Sequence, residues 1–211
     1  MKISNVNVYG LGESILVSGY PMKETEYNEN EFRLEVEEIY DTLRAGNTDS
    51  GNNKHINRAF RLAKAKIGSG HDCMLKGIIV QMDVKAPQYF WQQLQRYHFI
   101  DTISSMSKMH SINKMAFNDL CNDYVTYQAI DNAKEAVKYY DAGELNIDEC
   151  LSNIPMGLEY TARLTTNYLQ LKTIYKQRRT HRSMQWQVFC DWIKTLPYAN
   201  QLIILPEVTQ Q

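Results

Sequence analysis

The run Leu75–Val84, LKGIIVQMDV, followed at once by Lys85-Ala86-Pro87 and the helix-patterned Gln88–His98, constrains the fold more than any other stretch. Its dense apolar and β-branched content reads as a strand. Proline then falls at the first turn of the next helix, where its missing N–H costs nothing. A strand that hands over directly to a helix means that the chain mixes both element types.

The rest of the chain surrounds this unit with helices. Residues 1–22 alternate loosely, with Ile3, Val6 and Val8 and then Ile15, Leu16 and Val17, around Gly10 and Gly12, and stop at Gly19-Tyr20-Pro21. That pattern predicts short strands with turns. Asn28–Arg44 puts Phe32, Val36, Ile39, Tyr40 and Leu43 on one helical face, with Asn28 or Asn30 as the cap. The polar stretch AGNTDSGNNKH is predicted to be a loop and the segment most prone to disorder. A short basic helix is predicted around Asn57–Lys66, ending at Gly68-Ser69-Gly70. Asn113–Asp141 reads as one long helix or two with a kink, and Glu144–Pro155 as a connector. Leu158–Gln177 and Met184–Leu196 read as amphipathic helices, with proline after the second. With no internal repeat, low-complexity tail or linker, residues 1–211 are expected to form a single helix-rich α+β domain with a mixed or antiparallel sheet.

Composition narrows the function classes. The 211 residues are 44% hydrophobic, enough for one domain with a real core. With 23 basic and 24 acidic residues the net charge is −1, which argues against a general nucleic-acid coat or a membrane-surface binder. Any basic site must therefore be local. Fourteen tyrosines supply planar stacking surfaces. Cys73, Cys121, Cys150 and Cys190 stand singly, so buried free thiols in a reducing compartment are expected rather than disulfides or structural zinc. The start MKISNVNVYG lacks the apolar core of a signal peptide, and no run approaches the ~20 apolar residues of a membrane span. A cytoplasmic protein is expected.

Two polar clusters carry candidate chemistry. The first follows Pro87: Gln92, Gln93, Gln95, Arg96 and His98. Gln93 and Arg96 are three apart and share a helix face, so they can grip one ligand together. Arginine offers a planar fork for phosphate or carboxylate, and glutamine reads a carbonyl or amide edge. A solvated polar helix face is the bland alternative. In the second cluster Lys172, Lys176, Arg178, Arg179, His181 and Arg182 crowd a helix end and the loop beyond it. Cations there complement the helix dipole, but adjacent arginines plus His181 exceed that need and suit a doubly charged phosphate. The rival reading is a nucleic-acid patch over Lys172–Arg182, with Tyr168 and Tyr175 for stacking.

Other features read as structural. Gly10-x-Gly12 is an isolated pair that suits a turn. His71 and Cys73 lack a second pair at ligand spacing, so no metal site is expected. Glu144, Asp148 and Glu149 read as a solvated acidic connector, and Phe90 and Trp91 as core residues.

Taken together, the clusters resemble the flavin-dependent thymidylate synthase family. That family carries Gly-His, a strand, Val-Lys-x-Pro, then Gln-x-x-Arg-His-Arg and Ser-x-Asn-Glu-x-Ser-x-Arg-Tyr. Here Gly70-His71, a strand, Val84-Lys85-Ala86-Pro87 and Gln93-Leu94-Gln95-Arg96-Tyr97-His98 follow in order, and Lys108 falls on the last arginine. The second family pattern, Asn-x-Arg, an apolar helix, Arg and His-Ala-Gln-Trp-Glu-Ile, is similar to Asn167, Arg178 or Arg179, and Met184-Gln185-Trp186-Gln187-Val188. The resemblance spans roughly residues 57–195, leaving residues 1–56 as N-terminal strands, helix and loop. Departures fall at Tyr97 and His98, at Asp101, Ile103-Ser104, Met106 and Met109, and at Leu151, Leu169 and Thr173.

The resemblance implies that Gln93, Arg96 and Lys108 hold a pyrimidine nucleotide such as deoxyuridylate. It implies that Arg178 or Arg179 polarises the uracil ring, and that His71, His98 and Asn167 lie on the flavin side. It further implies FAD as cofactor, with NADPH and methylene-tetrahydrofolate where the family activity is kept, and a homotetramer with sites built between subunits. The function expected is pyrimidine-nucleotide binding by a divergent flavin-dependent thymidylate-synthase-like protein, with one-carbon transfer to the uracil ring where the family activity is kept. The alternative is a non-catalytic nucleotide or nucleic-acid binding protein that kept the fold and lost the flavin.

Overall fold

The computed structural model describes residues 1–45 and 53–204. Along the chain run β1 (Lys2–Tyr9), α1 (Leu11–Val17), α2 (Glu29–Arg44), α3 (Lys54–Ala63), β2 (Ile79–Pro87), α4 (Gln88–Leu94) and β3 (Ile100–Ser105). Then follow α5 (Lys108–Ser111), α6 (Phe117–Leu120), α7 (Tyr127–Asp141), α8 (Ile147–Ser152), β4 (Glu159–Asn167), α9 (Tyr168–Arg178), α10 (Met184–Ile193) and α11 (Ala199–Leu202). The class is α+β, rich in helix, with one four-stranded antiparallel sheet in the order β1-β2-β4-β3. The residues group into two compact units: Met1–Val6 with Met82–Thr165, and Asn7–Gln81 with Thr166–Gln211.

In the first unit, Arg163 on β4 ties three strands together. Its guanidinium donates to Asp83 on β2 at 3.1 Å and to the Asn5 carbonyl on β1 at 2.7 Å. Ile112, Phe117, Ile130, Ala133, Val137, Cys150, Ile154 and Leu158 form an apolar cluster to which α7 and α8 contribute their buried faces. Thr126 caps α7, and Asn146 with Glu149 forms a capping box on α8, so the predicted long helix is two and the predicted connector contains a helix. Two orphan N–H groups are satisfied at the start of α8, which is why six residues suffice there.

In the second unit the core gathers Ile15, Ile39, Ile56, Leu75, Tyr168, Trp186, Phe189 and Leu202, all fully or almost fully buried. The capping box of Asn28 and Glu31 starts α2 where the sequence places it. Asn53 caps α3, which begins three residues before the predicted helix, while positions 46–52 of the predicted loop lie outside the described residues.

Two predicted segments change type and a third starts late. Ile15–Val17 belongs to a helix, because Gly10 adopts a left-handed φ of 71° and turns the chain so that Leu11, Ile15 and Leu16 face inward together. A Cβ at Gly10 would lie 2.6 Å from the Gly77 carbonyl oxygen, so glycine also permits that close approach. Leu158–Gln177 is a strand and then a helix: Ala162, Leu164 and Thr166 bury alternate positions, and the Asn167 side chain then accepts the Gln170 N–H at 2.9 Å to open α9. The strand predicted at Leu75 starts later, at Ile79, after a 3-10 turn over Cys73–Gly77, and runs through Pro87 with Val80, Met82, Val84 and Ala86 buried. Strand β3 has no counterpart in the sequence reading. It is a sheet edge exposed at five of six residues, so no buried alternation marks it.

Candidate functional site

In the first unit the site grows from the β2–Pro87–α4 corner. Pro87 sits at φ −72° and ψ 157°, an extended setting that ends the strand and opens α4. Gln88, the first helical residue, accepts a hydrogen bond from Lys108 Nζ at 2.5 Å. The same ammonium lies 5.7 Å from the centre of the Tyr160 ring. Tyr160 stacks on Trp91 with centroids 5.2 Å apart and planes 27° off parallel, and Trp91 Nε1–H donates to the Ala86 carbonyl at 3.0 Å.

Lys108 is half-buried, and burial alone pulls its pKa down from the usual lysine range. No carboxylate forms an ion pair with it among the described residues. Burial likewise raises the Tyr160 hydroxyl. Tyr89 accepts from Asn122 Nδ2 at 3.2 Å on the neighbouring face.

Gln93 and Arg96 remain neighbours, but α4 stops at Leu94, so Arg96 lies in a following turn whose N–H reaches the Gln93 carbonyl at 3.4 Å. Gln93 is half-buried, and Arg96 and His98 are exposed. Phe99, Ile103, Met106 and Met109 are all at least 50% exposed on and beside β3, so this edge presents apolar groups, the last three of them where the resembled motif has asparagine, serine and tyrosine.

In the second unit the basic cluster separates into different roles. Lys172 is no part of an exposed patch: it is buried, paired to Asp72 at 2.6 Å, and also donates to the carbonyls of Ala63 at 2.7 Å and Ala65 at 3.1 Å. Those partners lie about a hundred residues upstream, which removes Lys172 from the nucleic-acid reading. Arg178 is half-buried with its guanidinium 4.7 Å above the Trp186 ring, and Trp186 is fully buried. His181 stands edge-on to Trp186 at 6.4 Å and accepts the Ser183 N–H on Nδ1 at 3.1 Å. Burial, then Arg178 and Arg182, push the His181 pKa down. A ring that accepts on Nδ1 and repels protons is a neutral imidazole.

Arg179, next in sequence, is exposed and lines a groove of about 340 Å³ with Tyr175, Thr180, Gln187, Cys190, Asp191 and Lys194. The adjacent arginines thus serve different surroundings. Asn167 caps α9, and its side-chain oxygen is engaged there. His71 is exposed in the turn before Cys73–Gly77. Among the described residues no group of metal-ligating side chains gathers. Cys73 is exposed and Cys121 partly so, against the expectation of four buried thiols, while Cys150 and Cys190 are buried. Burial raises the Cys190 thiol to about 11.

Gln88 and Tyr160 are the site residues that sequence reasoning passed over. Gln88 could have been found as the first side chain after Pro87. Tyr160 was hidden because its strand read as helix.

No family model matches this chain, and no curated protein matches it. Solved structures do. A crystal structure of flavin-dependent thymidylate synthase ThyX from Helicobacter pylori, complexed with FAD and dUMP, superposes at a TM-score of 0.69 with 12% identity, covering 96% of this chain and 98% of that one. A second structure of the same enzyme with FAD and dUMP gives 0.70 at 12% identity, covering 96% and 97%. The shared feature at that identity is the fold. No described helix is long and apolar enough to cross a membrane.

Proposed function

We propose that this chain binds a pyrimidine nucleotide on the thymidylate synthase fold, with Lys108, Gln93 and Arg96 as its anchors. The observation that carries the reading is the half-buried Lys108 ammonium, held by Gln88 and Tyr160 and lacking a carboxylate partner among the described residues. A partly desolvated cation of this kind is completed by an anion or a polar carbonyl brought by a ligand. The Helicobacter pylori structures, which hold dUMP in the same fold, support deoxyuridylate as the first ligand to try.

Between the adjacent arginines we assign the ring-polarising role to Arg178. Helix α9 runs unbroken from its Asn167 cap through Arg178, and Trp186 fixes that guanidinium. Arg179 lies past the helix end on the outer groove.

FAD would depend here on His71, His98 and Asn167, and these do not make a flavin site by themselves. The Asn167 oxygen is committed to a cap, and Ile103 and Met106 offer no polar contact on the exposed edge. No catalytic step is therefore drawn through a flavin, and one-carbon transfer with FAD, NADPH and methylene-tetrahydrofolate stays the second reading. A homotetramer is retained as part of the proposal, because it would supply flavin contacts from another copy.

The test is calorimetric titration of the purified protein with dUMP, beside an absorbance spectrum across the flavin bands. Lys108→Met should weaken dUMP binding about tenfold to a hundredfold, the value of a charge-assisted hydrogen bond. Equal affinity in wild type and variant would sink the nucleotide assignment. Stoichiometric flavin in the spectrum would promote the enzymatic reading.

A further inference from the structure

Away from these clusters, in the second unit, three helices meet around a buried histidine. His55, the second residue of α3, is 5% exposed. Its Nδ1 lies 3.0 Å from an Nη of Arg58, one turn along the helix, and its Nε2 lies 3.1 Å from the Glu35 carboxylate on α2. Arg58 also reaches the end of α1, donating to Ser18 Oγ at 3.1 Å and to the carbonyls of Leu16 at 3.0 Å and Ile15 at 3.3 Å. The guanidinium packs so closely on Gly19 that a Cβ there would lie 2.5 Å from its central carbon.

We propose that Glu35, His55 and Arg58 form an acid-sensitive latch, in which a neutral His55 ring lets Arg58 hold the end of α1 and a protonated ring drives it off. An arginine only donates, so Nδ1 must accept from it and the proton of the neutral ring sits on Nε2, 3.1 Å from Glu35 but too far off line for a hydrogen bond. A second proton would turn Nδ1 into a donor against a donor and set two cations 3.0 Å apart. Glu35 holds the charged ring in place, so Arg58 is the group that withdraws. The carbonyls of Ile15 and Leu16 then lose their guanidinium partner, and the last turn of α1 opens.

The charges around the ring act in that direction. Burial lowers the His55 pKa most, Arg58 and then Lys54 lower it by repulsion, and Glu35 opposes them. Burial and Arg61 press on Arg58, while Tyr27, its pKa raised by burial and by Glu35, is a neutral phenol over this range. Because the folded-state pKa lies below the unfolded value of 6.5, the unfolded chain takes up the proton first as pH falls. The latch therefore stabilises the fold fully above that value and loses its contribution below it.

Proton NMR titration of the full chain tests this, with the His55 ring signal identified by its loss in His55→Gln. His55 should titrate below 6.5 in wild type. Arg58→Met should raise the midpoint by roughly one unit, since it removes a like charge, and Glu35→Gln should lower it further. Hydrogen exchange at the Ser18 and Gly19 amides, corrected for intrinsic rates, should show about tenfold more opening near pH 5 than near pH 7 in wild type, and no such change in His55→Gln. A midpoint unmoved by either the Arg58 or the Glu35 substitution overturns the proposal. So does equal acid opening of α1 in wild type and His55→Gln.

Discussion

Lys172 shows what a single residue can hide. In sequence it belongs to a run of cations with Lys176, Arg178 and Arg179; in the structure its ammonium is saturated by Asp72 and by the carbonyls of Ala63 and Ala65. A lysine in an amphipathic stretch reads as solvated because nothing local announces a partner so far upstream. The spacing of three between Gln93 and Arg96 keeps them neighbours, but the helix face it predicts ends at Leu94, before Arg96 is reached. The Lys172–Asp72 pair is nearly dry on both sides, at 5% and 2% side-chain exposure. Lys172→Met should leave a buried carboxylate without its cation and cost about 3–5 kcal/mol, read from the urea midpoint. A loss below about 1 kcal/mol would mean that the pair is hydrated in solution. Lys108 is its counterpart, a cation without an ion-pair partner among the described residues. Because its pKa is lowered, it sheds its proton earlier as pH rises, so dUMP affinity should fall at an alkaline pH still below the usual lysine value.

At the scale of elements, caps were readable and periods were not always. The boxes at Asn28–Glu31 and Asn146–Glu149 follow a short-range rule, although only the first helix was anticipated from it. Leu158–Gln177 misled because a period of two passes into a period of three to four at Asn167, and a single window across both averages to an amphipathic helix. Ile15–Val17 misled because the left-handed turn at Gly10, not the composition of the run, decides its type. Gly10→Ala should accordingly destabilise the fold by about 1–3 kcal/mol through strain at φ 71°, with a further loss from the contact with the Gly77 carbonyl, measured by thermal or urea unfolding. Substitution at Gly143, whose φ is 75° but where nothing lies within reach of a Cβ, should show the strain alone. Similar losses at both positions would argue that the Gly10–Gly77 approach relaxes freely.

For the molecule as a whole, 12% identity over 96% of the chain means that the fold is shared with the Helicobacter pylori enzyme while few residue identities are. The strand before Pro87 and the helix opened by Asn28 were legible from local pattern, whereas α1, β3, α8 and β4 were not. The composition of the site was less legible, because Gln88 and Tyr160 act only once strand and helix bring them beside Lys108. The distribution of the cysteines has a practical consequence. Cys150 and Cys190 are buried, and burial raises the thiol pKa of both and of the partly covered Cys121, while Cys73 stands in the open beside Asp72. At neutral pH and short exposure, a maleimide should couple about one equivalent per native chain, and peptide mapping should find it at Cys73. A fluorophore placed there without any mutation would sit one residue from the Lys172 partner and two from His71, and its emission would report on the surroundings of that buried pair.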